Sequence, residues 1–153
     1  MGTKFEGDEA TRRALDAYVK FARAYDSVQR ELSDQLRREG LTTSQLGVLE
    51  ALLHLGPLGQ TALAEKLLTS ASNITTVIDN LEREGLVERT RSEEDRRRVE
   101  VSLTEKGRDR IEDVFPRHAE KIRTLASPLS KEELEELGRL CRKLGRSIES
   151  GSK

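Results

Sequence analysis

The hydrophobic period of this chain changes abruptly at Gly85, and few folds accommodate such a change over so short a span. Ile74, Val77, Ile78 and Leu81 fall at i, i+3, i+4 and i+7, the spacing of one helical face. Directly after Gly85, Leu86-Val87-Glu88-Arg89-Thr90 and Val99-Glu100-Val101-Ser102-Leu103 alternate apolar and polar side chains, as half-buried strands do. Residues 91–98 between them are polar and nearly all charged, the composition of a hairpin tip. The chain must therefore run from an amphipathic helix straight into a β-hairpin, with Gly85 as the helix-ending residue.

Helical spacing governs the rest. Tyr18, Tyr25 and Leu32 repeat every seven residues, flanked by Leu15, Phe21, Ala22, Val28 and Leu36, which predicts one helix over residues 9–38 ended by Gly40. Thr42 and Gln45 form a capping box, with Leu41 and Leu46 as its hydrophobic staple. The helix they open carries Leu46, Leu49, Leu52, Leu53 and Leu55 and stops at Gly56-Pro57. A short helix follows over residues 59–68, with Leu63, Ala64 and Leu67 inward, and a turn at Thr69-Ser70 leads into the helix before the hairpin. Beyond the hairpin, Thr104 caps a fifth helix predicted to reach Ala126, with a bend at Pro116. A second capping box at Ser130 and Glu133, stapled by Leu129 and Leu134, opens the last helix. Its Leu134, Leu137, Cys141, Leu144 and Ile148 form a seam that asks for a partner helix.

Composition limits what such a chain does. Its 153 residues suit one domain, but only 3% are aromatic against 36% charged, so a second subunit is expected to supply part of the burial. The net charge of −1 gives no global signature of nucleic-acid binding; any such argument rests on local placement. Cys141 is the only cysteine, so no internal disulfide is expected, and on the apolar seam it reads as a small packed hydrophobe. The charged N-terminus lacks the apolar core of a signal peptide and no apolar run has the length of a membrane span, so a cytoplasmic protein is expected. His54 and His118 lie far apart with no cysteine or carboxylate at ligand spacing, so no metal is expected. No nucleophile elbow, P-loop, dinucleotide motif or zinc-protease motif occurs, which predicts neither cofactor nor enzymatic activity.

The fold class is thus mainly α (α+β). Two short helices joined by a tight turn and followed by a hairpin make a winged helix-turn-helix, a device for docking on duplex DNA. The second helix offers Ser70, Ser72, Asn73, Thr75 and Thr76, short uncharged polar groups suited to base edges and phosphates. The hairpin places Arg89, Arg91, Arg96, Arg97 and Arg98 beside Glu93, Glu94 and Asp95, and a carboxylate two residues before an arginine is expected to pair with its guanidinium and hold it ready.

The segment Asp95-Arg96-Arg97-Arg98-Val99-Glu100-Val101-Ser102-Leu103-Thr104 resembles the DxRxxxVxLT wing signature of the MarR family, with Asp95, Arg97, Val101, Leu103 and Thr104 at the signature positions. Residues 81–89 resemble the family's helix-to-wing junction, and Leu63-Ala64-Glu65 its first helix-turn-helix element. The resemblance spans roughly residues 15–148. It implies a single domain over residues 1–153, with dimerisation helices at 9–38 and 105–150 and a DNA-binding lobe at 42–104. Within that lobe the helix-turn-helix covers 59–84 and the wing 86–103.

It further implies a homodimer on a pseudo-palindromic operator, acting as a repressor relieved by a small ligand. Arg97 would enter the minor groove, and Arg91, Asp95, Arg96 and Arg98 would complete the wing's share of the interface. Small aromatic molecules bind between the dimerisation helices and the lobe in this family, which makes Tyr18, Phe21, Tyr25 and His54 the candidate pocket residues. The general look is of the branch that answers phenolic or quinone compounds.

Two departures stand out: Thr76 sits where relatives often carry arginine or lysine, and Leu68 replaces a common turn glycine. Residues 61–104 also hold seven Lys or Arg against nine Asp or Glu. That acidic balance motivates an alternative reading, a winged helix used for protein interaction without DNA. A helical enzyme subunit is a third reading, which no residue pattern supports.

Overall fold

Leu36, fully buried near the end of the first helix, is where that helix enters the core. In the computed structural model, which describes residues 4–151, α1 (Glu9–Arg38) is capped by Asp8, whose carboxylate accepts from the Thr11 N–H at 2.9 Å. Its apolar stripe divides in two. Leu32 and Leu36 are buried, whereas Tyr18, Phe21, Tyr25 and Val28 remain exposed. Gly40 takes the positive φ that ends the helix.

Helix α2 (Thr43–Leu55) opens with the predicted capping box: the Gln45 N–H donates to Thr42 Oγ1 at 3.1 Å and the Thr42 N–H to Gln45 Oε1 at 2.9 Å. Leu41 and Leu46, the expected staple, are both buried in one core cluster. Helix α3 (Gln60–Lys66) is shorter than the periodicity suggests, because its last turn closes early at Leu67. Helix α4 (Ala71–Arg83) buries Ile74, Val77, Ile78 and Leu81, the four residues whose spacing announced it. Strands β1 (Val87–Arg91) and β2 (Val99–Leu103) then pair antiparallel, Arg89 opposite Val101.

The hairpin has a neighbour that periodicity does not reveal. Leu58 exchanges backbone hydrogen bonds with Val101, N–H to O at 3.1 Å and 2.8 Å in the two directions. The segment after Gly56-Pro57 thereby ties the wing to the helix-turn-helix through the middle of β2. Thr104 makes the next link: its hydroxyl donates to the Gly85 carbonyl at 2.6 Å and accepts from the Gly107 N–H at 3.0 Å. Gly107 lies so close to the Leu86 backbone that a Cβ there would fall 1.8 Å from the Leu86 carbonyl oxygen.

Helix α5 (Glu105–Ala126) continues through Pro116 as one α-helix. The chain divides into two units after His118. In the first, Arg117 grips the Glu39 carboxylate with both Nε (2.7 Å) and Nη2 (2.6 Å), and Arg110 donates to the Glu39 carbonyl. These bonds fasten the end of α1 to α5. In the second, α6 (Lys131–Gly151) starts with the predicted box between Ser130 and Glu133. Along its seam Leu134, Leu137, Leu144 and Ile148 are all exposed, as is Cys141. Cys141 is thus exposed in the single chain, on the seam for which the sequence predicts a partner helix.

Among the described residues no helix is long and apolar enough to cross a membrane, and no group of three or more His, Cys, Asp or Glu could hold a metal ion.

Candidate nucleic-acid interface

The face of α4 opposite its buried stripe carries Ser72, Asn73, Thr75 and Thr76, all exposed, and Ser70 precedes it as N-cap. Most of these polar groups are already bonded to one another. Ser70 Oγ accepts from the Asn73 N–H at 3.1 Å and lies 3.2 Å from Ser72 Oγ. Asn73 Nδ2 donates to Thr69 Oγ1 at 2.6 Å. Thr75 Oγ1 donates to the Ala71 carbonyl at 2.9 Å and accepts from Gln60 Nε2 at 3.1 Å, while Thr76 Oγ1 donates to the Ser72 carbonyl at 3.2 Å. The threonines thus meet a partner with methyl groups and acceptor lone pairs, their single hydroxyl protons being spent on the helix's own carbonyls.

Arg89 belongs to this helix and not to the wing tip. Its Nη2 donates to Asp79 at 2.6 Å, Nη1 to Glu82 at 2.9 Å, and Nε to Gln60 Oε1 at 3.0 Å. Its backbone N–H reaches the second Glu82 oxygen at 3.1 Å. Burial works against the charge, but the hydrogen bonds with Asp79 and Glu82 outweigh it and hold the guanidinium more firmly protonated than usual. The expected grouping of Arg89 with Glu93, Glu94 and Asp95 is corrected accordingly: β1 carries the side chain over α4, whose acidic groups lie nearer. Gln60 links this node to Thr75, so α3, α4 and β1 share one hydrogen-bonded network.

The tip is shaped by two short side chains. The buried Ser92 uses Oγ to accept from the Glu94 and Asp95 N–H groups at 3.3 and 3.4 Å, and its own N–H donates to the Arg98 carbonyl at 2.8 Å. Asp95 Oδ1 accepts from the Arg97 backbone N–H at 3.0 Å. The sequence predicts that Asp95 holds the Arg97 guanidinium; it holds the turn instead, because a carboxylate two residues ahead in a tight turn meets the N–H first. Arg91 Nη1 donates to the Arg96 carbonyl at 2.9 Å. Among the described residues none of Arg91, Arg96, Arg97 and Arg98 has a carboxylate partner within 4 Å. Their charges are therefore available to an anionic partner, despite the acidic balance of the lobe.

A separate cleft of about 350 Å³ lies behind α4, bordered by Tyr25, Ser44, Glu50, Asn73 and His118 among others. Of the candidate pocket residues only Tyr25 borders it. Tyr18 and Phe21 lie one to two turns further along α1, roughly 5 to 10 Å away by helical rise. His54 is exposed near the far end of α2, its ring 6.2 Å from that of Phe115. Sequence reasoning missed His118, which is buried with Nδ1 3.3 Å from Gln35 Oε1. Burial depresses its pKa, against the opposing pull of Glu50.

Residues 41–99 match the family model described as MarR family. The chain is 33% identical over 135 residues to the HTH-type transcriptional regulator MhqR of Bacillus subtilis, covering 88% of this chain and 93% of that protein. It superposes on the Staphylococcus aureus MepR–DNA complex with a TM-score of 0.75 at 26% identity, covering 86% of this chain and 96% of that one. Bordetella bronchiseptica BpsR, whose DNA binding is regulated by 6-hydroxynicotinic acid, superposes with a TM-score of 0.76 at 25% identity over 82% of this chain and 89% of that one. With a helix-turn-helix locked to its wing and free arginines at the wing tip, the chain belongs to the MarR family of winged helix DNA-binding transcriptional regulators.

Proposed function

We propose that the protein acts as a homodimer on a pseudo-palindromic operator, one α4 per half-site and half-sites about one DNA turn apart, and that it represses by occupying promoter DNA. The observation that carries this reading is the pairing of a rigid α3–α4–β1 network with the unpaired Arg91, Arg96, Arg97 and Arg98 beyond it. Such an arrangement suits a helix in the major groove with arginines reaching the flanking minor groove or backbone, Arg97 foremost. The residues around Ser70, Ser72, Asn73, Thr75 and Thr76 form the major-groove share, and Asp95 sets the tip that aims the arginines.

Two exposed apolar faces support the dimer: Tyr18, Phe21 and Tyr25 on α1, and Leu134, Leu137 and Leu144 on α6. Exposed area of this kind favours association at about 25 cal/mol per Å² buried. Residues 9–38 and 105–150 are the dimerisation helices in this reading.

The cleft behind α4 suits a small aromatic effector. Tyr25 offers a ring, while Ser44, Glu50 and His118 offer hydrogen bonds. Asn73 of α4 also borders it, so an occupant would bear on the recognition helix and select a dimer with that helix misplaced. The regulation of BpsR by a small aromatic acid supports this assignment.

The test is a titration against the intergenic DNA beside the protein's own gene at two salt concentrations. Tight, salt-sensitive binding that survives excess random competitor is expected. Binding no better than to random DNA at either salt would sink the autoregulatory operator.

A further inference from the structure

Leu68 stands at a position that costs this chain twice. It is the residue after the C-cap of α3, closing a turn in which the Thr69 N–H bonds the Ala64 carbonyl at 3.0 Å and the Leu68 N–H the Glu65 carbonyl at 3.3 Å. That closure needs a left-handed backbone, and Leu68 has φ 52°, where its Cβ crowds the following carbonyl. The other positive-φ residues described, Gly40, Gly56 and Gly85, are all glycine. The leucine side chain gains nothing internally for this strain: it is 89% exposed, the most of the large exposed hydrophobics.

Its surroundings say what would use it. Leu68, Ala71 and Thr75 border one shallow depression between α3 and α4. The Thr75 hydroxyl is occupied on both sides, by the Ala71 carbonyl and by Gln60, so its methyl is the group left to meet a partner. Leu68, Ala71 and Thr75 thus place apolar groups around one depression, which Glu65 also borders, and Ala71 and Thr75 lie on the same helix as the polar residues Ser72, Asn73 and Thr76. On a duplex, the apolar group that a base edge presents in the major groove is the thymine 5-methyl.

Resting on the DNA-binding reading above, we propose that Leu68 is a specificity-determining residue, which packs with Ala71 and Thr75 against thymine methyls in each operator half-site. Thymine is thereby selected through its methyl group and not through a base hydrogen bond. The strain and exposure of Leu68 are borne in the free protein and relieved of the second cost only on DNA.

The experiment uses the full chain, a duplex that the parent protein selects from a random-sequence pool, and the variants Leu68→Gly and Leu68→Asn, both compatible with a left-handed backbone. Leu68→Gly should raise Tm by roughly 2–5 °C yet bind the selected duplex about tenfold more weakly, as loss of an apolar contact in each of two half-sites predicts. Replacing the contacted thymines by uracil, which removes only the 5-methyl, should weaken the parent by about the same tenfold and weaken Leu68→Gly clearly less, since only the Ala71 and Thr75 contacts remain to be lost. Leu68→Asn should behave like Leu68→Gly on both duplexes. Equal binding by parent and Leu68→Gly would overturn the proposal, as would a uracil effect of the same size in both proteins, or none at any thymine. Failure of the parent to enrich any duplex would be a different result, defeating the DNA-binding reading together with this inference.

Discussion

Arg89 on β1 and Asp79 on α4 meet at 2.6 Å, joining the wing to the recognition helix at a point where the arginine side chain is only 22% exposed. Because Glu82 and Gln60 share the same guanidinium, this contact ties β1 to both α4 and α3. Arg89→Ala should cost about 1–2 kcal/mol of stability, the range for hydrogen bonds to charged groups that are partly solvated. It should also weaken operator binding although Arg89 itself points away from the tip. Thermal melts and operator titrations on the same preparations check this, and unchanged affinity would mean the wing holds its angle without Arg89.

Arg97 separates contact from support. It has no carboxylate partner among the described residues, so Arg97→Ala should leave Tm nearly unaltered. Operator binding should weaken by about 1–3 kcal/mol per site. Parent-like binding by Arg97→Ala would remove the wing from the interface.

Gly107 has a packing reason for being glycine. Its missing Cβ leaves room for the Leu86 backbone, which cannot yield as a flexible side chain could. Gly107→Ala should destabilise by about 3 kcal/mol, at or beyond the upper end for overpacked sites. A chemical denaturation curve that overlays the parent's would show that α5 can shift away from the β1 junction at no cost.

His118 should make stability pH-dependent on the acid side. Its folded pKa is depressed below the ordinary 6.5 by burial, so below 6.5 the unfolded chain binds the proton more readily than the folded one. Stability is then full above 6.5, falls as the pH drops through 6.5 towards the depressed folded value, and levels beneath it. His118→Gln should flatten that part of the profile; equal slopes in parent and variant would acquit the histidine.

The α6 seam should govern assembly. Leu137 is 46% exposed in the single chain, so Leu137→Glu should leave the monomer folded while placing a charge on the proposed dimer face. Sedimentation should report a shift from dimer to monomer, and operator affinity should fall about a hundredfold or more as avidity is lost. A variant that stays dimeric would place the dimer contact elsewhere.

Local regularities were legible in the sequence because each depends on residues a few positions apart. The period of three and four through Leu81, the alternation after Gly85, the Thr42–Gln45 and Ser130–Glu133 boxes and the glycine at Gly40 all appear as read. The wing signature carried the family assignment on the same footing, as a run of neighbouring residues. What the tertiary structure alone decided are partnerships between residues far apart in the chain. Arg89 turned to Asp79 instead of the tip, Arg117 found Glu39, Leu58 paired with Val101, and Tyr25 met His118 across a cleft that Tyr18, Phe21 and His54 do not reach. An arginine pairs with whichever carboxylate the fold carries within about 3 Å, and a hydroxyl donates to the nearest carbonyl. Spacing along the chain constrains neither, so the bonds that aim the reading face belong to the fold.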